Sequence, residues 1–228
     1  SKNELELLNV WKDEIPAEVF TETFTPPITD GSGNDRKNLL KAKEILEKEG
    51  WFVEDGKLVK DGKEFKFEFL IVSPSDEKIA LAYQSNLKKL GITMDVRTVD
   101  SSQYQERLLS YDFDMIKRYW GVSLSPGNEQ QFYWGSEVGQ KDGSRNYPGI
   151  NSPAVDALIE KLISATNREE LTTAIHALDR VLLWGHYVVP LYHSNKDRIA
   201  YWDFFEYPDE IPLYGIVIES WWIYQDKQ

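Results

Sequence analysis

Between residues 65 and 99 the spacing of apolar side chains changes period twice, and this constrains the fold more than any other feature of the chain. Phe65, Phe67 and Phe69 alternate with Lys66, Glu68 and Leu70, and Ile71-Val72 continue the run; a two-residue period is that of a strand. Ser73-Pro74-Ser75 turns the chain, and Ile79, Ala80, Tyr83, Leu87 and Leu90 then recur at helical spacing over residues 76–90. Gly91 stops that helix, and residues 92–99 form a second strand. A strand, a helix and a strand joined by short links make a βαβ unit, which predicts two parallel strands in an α/β fold.

The flanking segments extend this pattern. Leu39, Leu40, Ala42, Ile45 and Leu46 make an apolar stripe over residues 36–49, with Asn34 or Asp35 to cap the helix and Gly50 to end it. The pairs Asp55-Gly56 and Asp61-Gly62 are tight-turn signals bracketing a short strand. Residues 1–35, with Pro16, Pro26, Pro27, Gly31 and Gly33, read as an extended segment. After residue 99 a helix over 102–109 turns Tyr104, Leu108 and Leu109 inward, and a third strand runs from Phe113 to Trp120. Residues 121–148 form a long polar loop, and long loops inside compact domains are often functional. Two helices follow, one opening at Ser152-Pro153 and one over 168–184. Residues 188–192 suit an edge strand because Pro190 has no N–H to donate, and residues 198–201 are a further strand candidate.

Charge and composition exclude several classes. Asp and Glu outnumber Lys and Arg by 38 to 26, a formal net charge of −12, so neither a nucleic acid nor an anionic lipid surface is expected as partner. Without cysteine, disulfides, zinc ribbons and thiol catalysis are all removed. There is no apolar run of about 18 residues to span a membrane, and residues 1–6 carry no signal-peptide pattern. His176, His186 and His193 lack zinc-helix spacing, and Gly31-Ser32-Gly33 is not followed by a phosphate-loop lysine. No Gly-x-Ser-x-Gly elbow occurs. No metal or cofactor is therefore expected. Asp112 and Asp114 flank Phe113 and so share one face of a strand; they read either as a carboxylate pair or as strand-start acids facing solvent.

Aromatic residues give the stronger signal. Of 8 Trp and 12 Tyr, several fall in or beside the long loop: Tyr119, Trp120, Tyr133, Trp134 and Tyr147, with Phe132. They either wall a pocket for a small molecule or peptide, or fill the core beneath the loop.

The order Ala42…Leu46-Glu47…Gly50-Trp51, Asp61-Gly62-Lys63, Leu87…Leu90-Gly91-Ile92, Tyr104, Asp112-Phe113-Asp114…Trp120, Asn146-Tyr147, Ser152-Pro153…Asp156…Leu158 and Val189-Pro190-Leu191-Tyr192 resembles the second lobe of family 5 extracellular solute-binding proteins. The dipeptide-, oligopeptide- and nickel-binding proteins of ABC importers belong to that family. Ser125-Pro126-Gly127-Asn128-Glu129-Gln130 and Gly143-Ser144-Arg145-Asn146 resemble its Yej-type peptide-binding branch. The resemblance implies one lobe of a two-lobed, periplasmic-binding-protein-like fold of class II type, with a mixed sheet, a βαβ unit and flanking helices. Residues 36–202 would be the ligand-binding lobe and residues 203–228 a tail that returns to a first lobe this chain lacks. It also implies a peptide or other small solute as ligand, an ABC permease of the inner membrane as partner, and a periplasmic or extracellular location.

One departure bears on the ligand. In peptide-binding relatives an Asp three residues beyond the strand-end Trp takes the peptide's α-ammonium group; here Ser123 stands at that spacing, and a hydroxyl gives up the charge-assisted bond. Glu129 is the nearest carboxylate in the loop to substitute. Lys117 is either the cation that takes the ligand carboxylate or a solvated strand lysine. The expected ligand-binding set is Trp120, Ser123, Asn128, Glu129, Tyr147 and Lys117. Other readings are a binding protein for an oligosaccharide or metal chelate, and a hydrolase using Asp112, Asp114 or Glu129 with His193. The apolar tail (Ile216, Val217, Ile218, Trp221, Trp222 and Ile223) is expected to fold back on its own lobe or to pair with the same tail of a second molecule as a dimer.

Overall fold

A computed structural model describes residues 1–33, 35–121, 124–139, 141–194, 196–213 and 215–224. In chain order the first half contains α1 (Lys2–Asn9), α2 (Glu18–Thr21), α3 (Arg36–Lys48), β1 (Phe52–Glu54), β2 (Lys57–Lys60), β3 (Lys63–Glu64), β4 (Lys66–Ile71), α4 (Pro74–Lys88), β5 (Thr93–Thr98) and α5 (Ser101–Leu109). The second half contains β6 (Met115–Ile116), α6 (Glu129–Trp134), α7 (Ser136–Gly139), α8 (Pro153–Ile163), α9 (Arg168–Trp184), β7 (Phe205–Glu206) and β8 (Trp222–Ile223). The chain divides into two compact units, Ser1–Val188 and Val189–Gln228. Among the described residues no helix is long and apolar enough to cross a membrane.

The α/β class and the parallel pair are as the sequence predicts. β4 is the central strand of a parallel sheet in the order β5-β4-β6, and α4 is the crossover from β4 to β5. Ser73 caps α4 by accepting the Ser75 N–H, and Pro74 sits where a missing N–H does no harm. The alternation along β4 separates two small cores. Phe69 and Ile71 pack with Met94 and Ala80 of α4, while Leu70 packs with Val99, Tyr104 and Leu108 of α5. The two crossover helices thus cover opposite faces of the sheet.

The third strand is shorter than expected. Only Met115 and Ile116 pair, opposite Phe69 and Leu70. β4 has one residue left beyond that register, so the chain past Ile116 runs out of partner. Residues 117–120 therefore leave the sheet at the C-terminal ends of its strands.

The expectation of an extended segment over residues 1–35 is corrected at its beginning. Leu8, Ile15 and Val19 join Val155, Leu158, Leu162, Leu178 and Val181 in one helical core, and α1 and α2 are folded onto α9. Burial of three widely spaced apolar residues orders a segment whose prolines suggested none. Arg180 of α9 adds a hydrogen bond to the Val19 carbonyl and lies 3.7 Å from Glu4.

The sheet expected to be mixed is divided by strand direction. The antiparallel strands β1, β2 and β3 form their own meander. Its two turns have positive φ at Asp55 (49°), Gly56 (80°), Asp61 (51°) and Gly62 (73°), the type I′ geometry that Asp-Gly pairs favour. Residues 188–192 and 198–201 form no strand, the first interrupted by Pro190. In the second unit β7 and β8 pair antiparallel, and Trp221 packs on Tyr201 and Tyr207, with centroids 5.0 and 5.1 Å away. The tail, expected either to fold back on its own lobe or to pair with the tail of a second molecule, pairs its strand β8 with β7 inside its own unit.

Candidate functional site

Where residues 117–120 leave the sheet, the chain meets the helical core. Trp134, at the end of α6, packs against that core and stacks on Trp120 with centroids 5.6 Å apart and planes 28° apart. Its indole N–H donates to Gln130 Oε1 at 2.9 Å, one helical turn earlier. Tyr147 lies 6.5 Å from Trp120 and 6.3 Å from Tyr111. The Trp120 indole N–H is shielded from solvent and has no hydrogen-bond partner among the described residues. The result is an aromatic wall, Trp134-Trp120-Tyr147-Tyr111, at the C-terminal ends of parallel strands, where open α/β sheets place their ligands.

A buried asparagine holds this wall. Asn146 is 0% exposed. Its side-chain amide donates to the carbonyls of Gly135 (3.0 Å) and Ile150 (2.8 Å), and its Oδ1 accepts the Ile150 N–H at 2.9 Å. A Cβ on Gly139 would stand 2.6 Å from that amide nitrogen, so glycine is required there for the approach. Asp156 of α8 accepts the Ser136 N–H at 2.8 Å. Tyr111 and Ser144 share a hydrogen bond between hydroxyls, and the Gly143 N–H reaches Leu109 O at 2.8 Å. The loop is pinned to α5, α6 and α8 at separate points.

The structure separates the six expected ligand residues. Trp120 and Tyr147 lie together in the wall. Ser123 lies outside the described residues. Asn128 is exposed and precedes α6 without a side-chain cap bond. Glu129 accepts the Gly127 N–H at 2.9 Å and Gln130 Nε2 at 3.3 Å. Burial raises its pKa, but these bonds outweigh that and hold the carboxyl below the ordinary range. Lys117 forms an ion pair with Asp76 in the first turn of α4, so it is tied to the scaffold rather than solvated. The carboxylates of the hydrolase reading are engaged too. Asp112 bonds Arg107 Nε at 2.8 Å, Arg107 also pairs with Glu68 at 2.8 Å, and Asp114 accepts the Glu68 N–H at 2.8 Å. His193 belongs to the second unit.

Two residues outside the expected set belong to the wall. The sequence groups Trp134 with the loop aromatics, and the structure sets it at the end of a short helix inside that loop. Its signal is the Gln130…Trp134 spacing of one helical turn. Arg118 lies beside Tyr147, its Cζ 4.9 Å from the ring centroid and its Nη2 3.2 Å from the phenol oxygen. Two-residue spacing groups Arg118 with Trp120 and sets Lys117 on the other side, a cue the charge alone does not give. A groove of about 600 Å³ lies apart from the wall, lined by Asn3, Leu7, Lys161, Asn167, Glu170 and Thr173 among others. Among the described residues, none that lines it is aromatic.

A family model described as bacterial extracellular solute-binding proteins, family 5 Middle, matches residues 11–142. The chain is 49% identical over 222 residues to the uncharacterized protein y4wM of Sinorhizobium fredii, covering 96% of this chain and 34% of that protein. It is 42% identical over 222 residues to the probable peptide-binding protein YejA of Agrobacterium fabrum, covering 96% of this chain and 36% of that one. The chain thus spans about a third of the length of the curated relatives it matches. Its structure is similar to that of the oligopeptide-binding protein AppA from Bacillus subtilis in complex with a nonapeptide. The TM-score is 0.60 at 24% identity, covering 81% of this chain and 38% of that one, a likeness of fold.

Proposed function

Because the chain belongs to the bacterial extracellular solute-binding proteins of family 5, we propose that it forms one wall of a solute cleft, and that the solute is a peptide delivered to an ABC permease. The observation that carries this reading is the aromatic wall of Trp120, Trp134 and Tyr147 at the C-terminal ends of the parallel strands. A wall of this kind offers apolar area and ring faces to a peptide backbone and side chains. The name of the Agrobacterium relative, a probable peptide-binding protein, agrees with that ligand class. The same reading places the protein in the periplasm or outside the cell, and it requires binding without turnover.

Calorimetry tests it on a two-lobed protein that contains this chain, titrated with a peptide library, oligosaccharides and metal chelates in turn. Peptides are expected to bind, and Trp120→Ala is expected to weaken them by more than ~1 kcal/mol, since buried aromatic anchors carry much of a binding energy. Binding confined to a sugar or a chelate removes the peptide, hydrolysis of the peptides removes the binding role, and unchanged affinity removes Trp120 from the cleft.

A further inference from the structure

We infer that Tyr111 is a positioning residue of the solute wall, which holds Ser144 and Tyr147 in place although this strains its own backbone; the inference rests on the cleft reading above and adds what fixes the loop side of that cleft. Three helices of this chain end in the same way. After α3 the Trp51 N–H returns to Leu46 O at 2.9 Å, after α4 the Ile92 N–H returns to Leu87 O at 3.2 Å, and after α5 the Asp112 N–H returns to Arg107 O at 2.9 Å. This closure takes a left-handed residue just before the returning N–H, and glycine is its usual occupant. The first two positions are Gly50 (φ 83°) and Gly91 (φ 79°), but the third is Tyr111 (φ 56°). Asp55 and Asp61 also have positive φ, which aspartate tolerates in a tight turn. For a side chain as bulky as tyrosine it is an outlier. Strain of this kind persists only where the surroundings hold it, and it gathers at functional places.

A glycine at this position would close the helix and lack the side chain, and that side chain faces the loop. Its hydroxyl shares a hydrogen bond with Ser144, whose Oγ also accepts the Asn146 N–H at 3.4 Å. Burial pushes the Tyr111 phenol up in pKa, and although the Ser144 bond works the other way the group stays protonated at neutral pH. The ring lies 6.3 Å from that of Tyr147 and 6.0 Å from that of Phe113. Two residues earlier, Leu109 O accepts the Gly143 N–H at 2.8 Å. The end of α5 therefore grips residues 143–147 at three points, two of them through one side chain. Asn146 fixes the loop backbone at Gly135 and Ile150, but it does not set the ring of Tyr147. Trp120 and Tyr111 stand beside that ring, 6.5 and 6.3 Å away. Without Tyr111 the Tyr147 side chain gains rotamers, and a solute must then order it on binding.

The test uses a two-lobed protein containing this chain. A randomised tripeptide library identifies the best-retained peptide by mass spectrometry, and calorimetry measures its affinity for each variant. Tyr111→Phe keeps the ring and loses the hydroxyl bond, and should weaken binding about three- to tenfold. Ser144→Ala should weaken it at least as much, and the double variant should bind no more weakly than Ser144→Ala alone, because both changes remove one bond. Tyr111→Gly restores the usual helix end and removes the ring, and should weaken binding about tenfold or more. Hydrogen exchange without solute should quicken in Tyr111→Gly at Gly143 and Asn146 but not at Asp112, whose N–H closes the helix. A residue that served only the helix end would give the reverse: faster exchange at Asp112 and unchanged affinity. If Tyr111→Gly does not fold, the Phe and Ala variants still decide. Wild-type affinity in Tyr111→Gly, or additive losses in the double variant, overturns the role of Tyr111 while the peptide reading stands. A wild type that retains no tripeptide overturns the peptide reading, and the exchange pattern, read without solute, still decides whether Tyr111 holds the wall.

Discussion

From Lys66 to Ile71 the backbone of β4 is paired along its length by β5, and Phe69 and Leu70 are also paired by β6. Between Gly135 and Ile150 the chain is held instead by side chains: Asn146 bonds both Gly135 and Ile150, and Asp156 reaches back to Ser136. The first region repeats one kind of bond and needs only a hydrophobic period to place it. The second depends on particular residues at particular positions, each satisfying a backbone group that would otherwise be buried alone. The aromatic wall stands where the two meet, with Trp120 carried by the end of the sheet and Trp134 and Tyr147 by the loop.

This contrast predicts different failures. Leu70 is 0% exposed at the centre of the sheet, and Leu70→Ala should lower global stability by about 3–5 kcal/mol, the transfer loss plus a cavity. Urea unfolding followed by circular dichroism should show one transition moved to lower urea. Asn146→Ala removes three hydrogen bonds and leaves the Ile150 N–H and the Gly135 and Ile150 carbonyls without their partner, a cost of roughly 2–4 kcal/mol. That loss should be local. Hydrogen exchange should quicken over residues 135–150 and at Trp134 before it does in β4 and β5. If β4 and β5 exchange faster to the same degree, the loop and sheet are one cooperative unit and the contrast fails.

The same division sets what the sequence could disclose. The parallel pair, its crossover helix and both Asp-Gly turns were legible because period and turn chemistry are local: Phe67, Phe69 and Ile71 line one face, and Gly56 and Gly62 take positive φ. The helices Pro153–Ile163 and Arg168–Trp184 were legible for the same reason. The order of residues 1–19 was not, because Leu8 and Val19 are fixed by α8 and α9, more than a hundred residues away. Nor was the commitment of Lys117, since Asp76 meets it only through the fold. Trp120 and Tyr147 were named from composition, yet their contact depends on Asn146, which the sequence marks only as part of a family pattern.

Glu129 gives the smallest and most selective test of the loop's manner of support. Its carboxylate accepts N–H bonds from the Gly127 backbone and the Gln130 side chain, and although burial works the other way, its pKa lies below the ordinary carboxylate value. A depressed folded pKa contributes stability above the unfolded value of about 4.3, and that contribution is lost as pH falls through the folded pKa. Glu129→Gln keeps the size of the side chain and removes the titration. The variant should be slightly less stable than wild type at neutral pH, and the difference should shrink as the pH is lowered below about 4. Because the side chain is partly exposed and solvent screens it, the effect should be well below that of Asn146→Ala. Urea midpoints at neutral pH and at successive steps below pH 5 measure it. A gap that widens on acidification would mean that the carboxylate is held above its ordinary pKa. Glu129 would then belong with groups strained by burial rather than with those that tie the loop down.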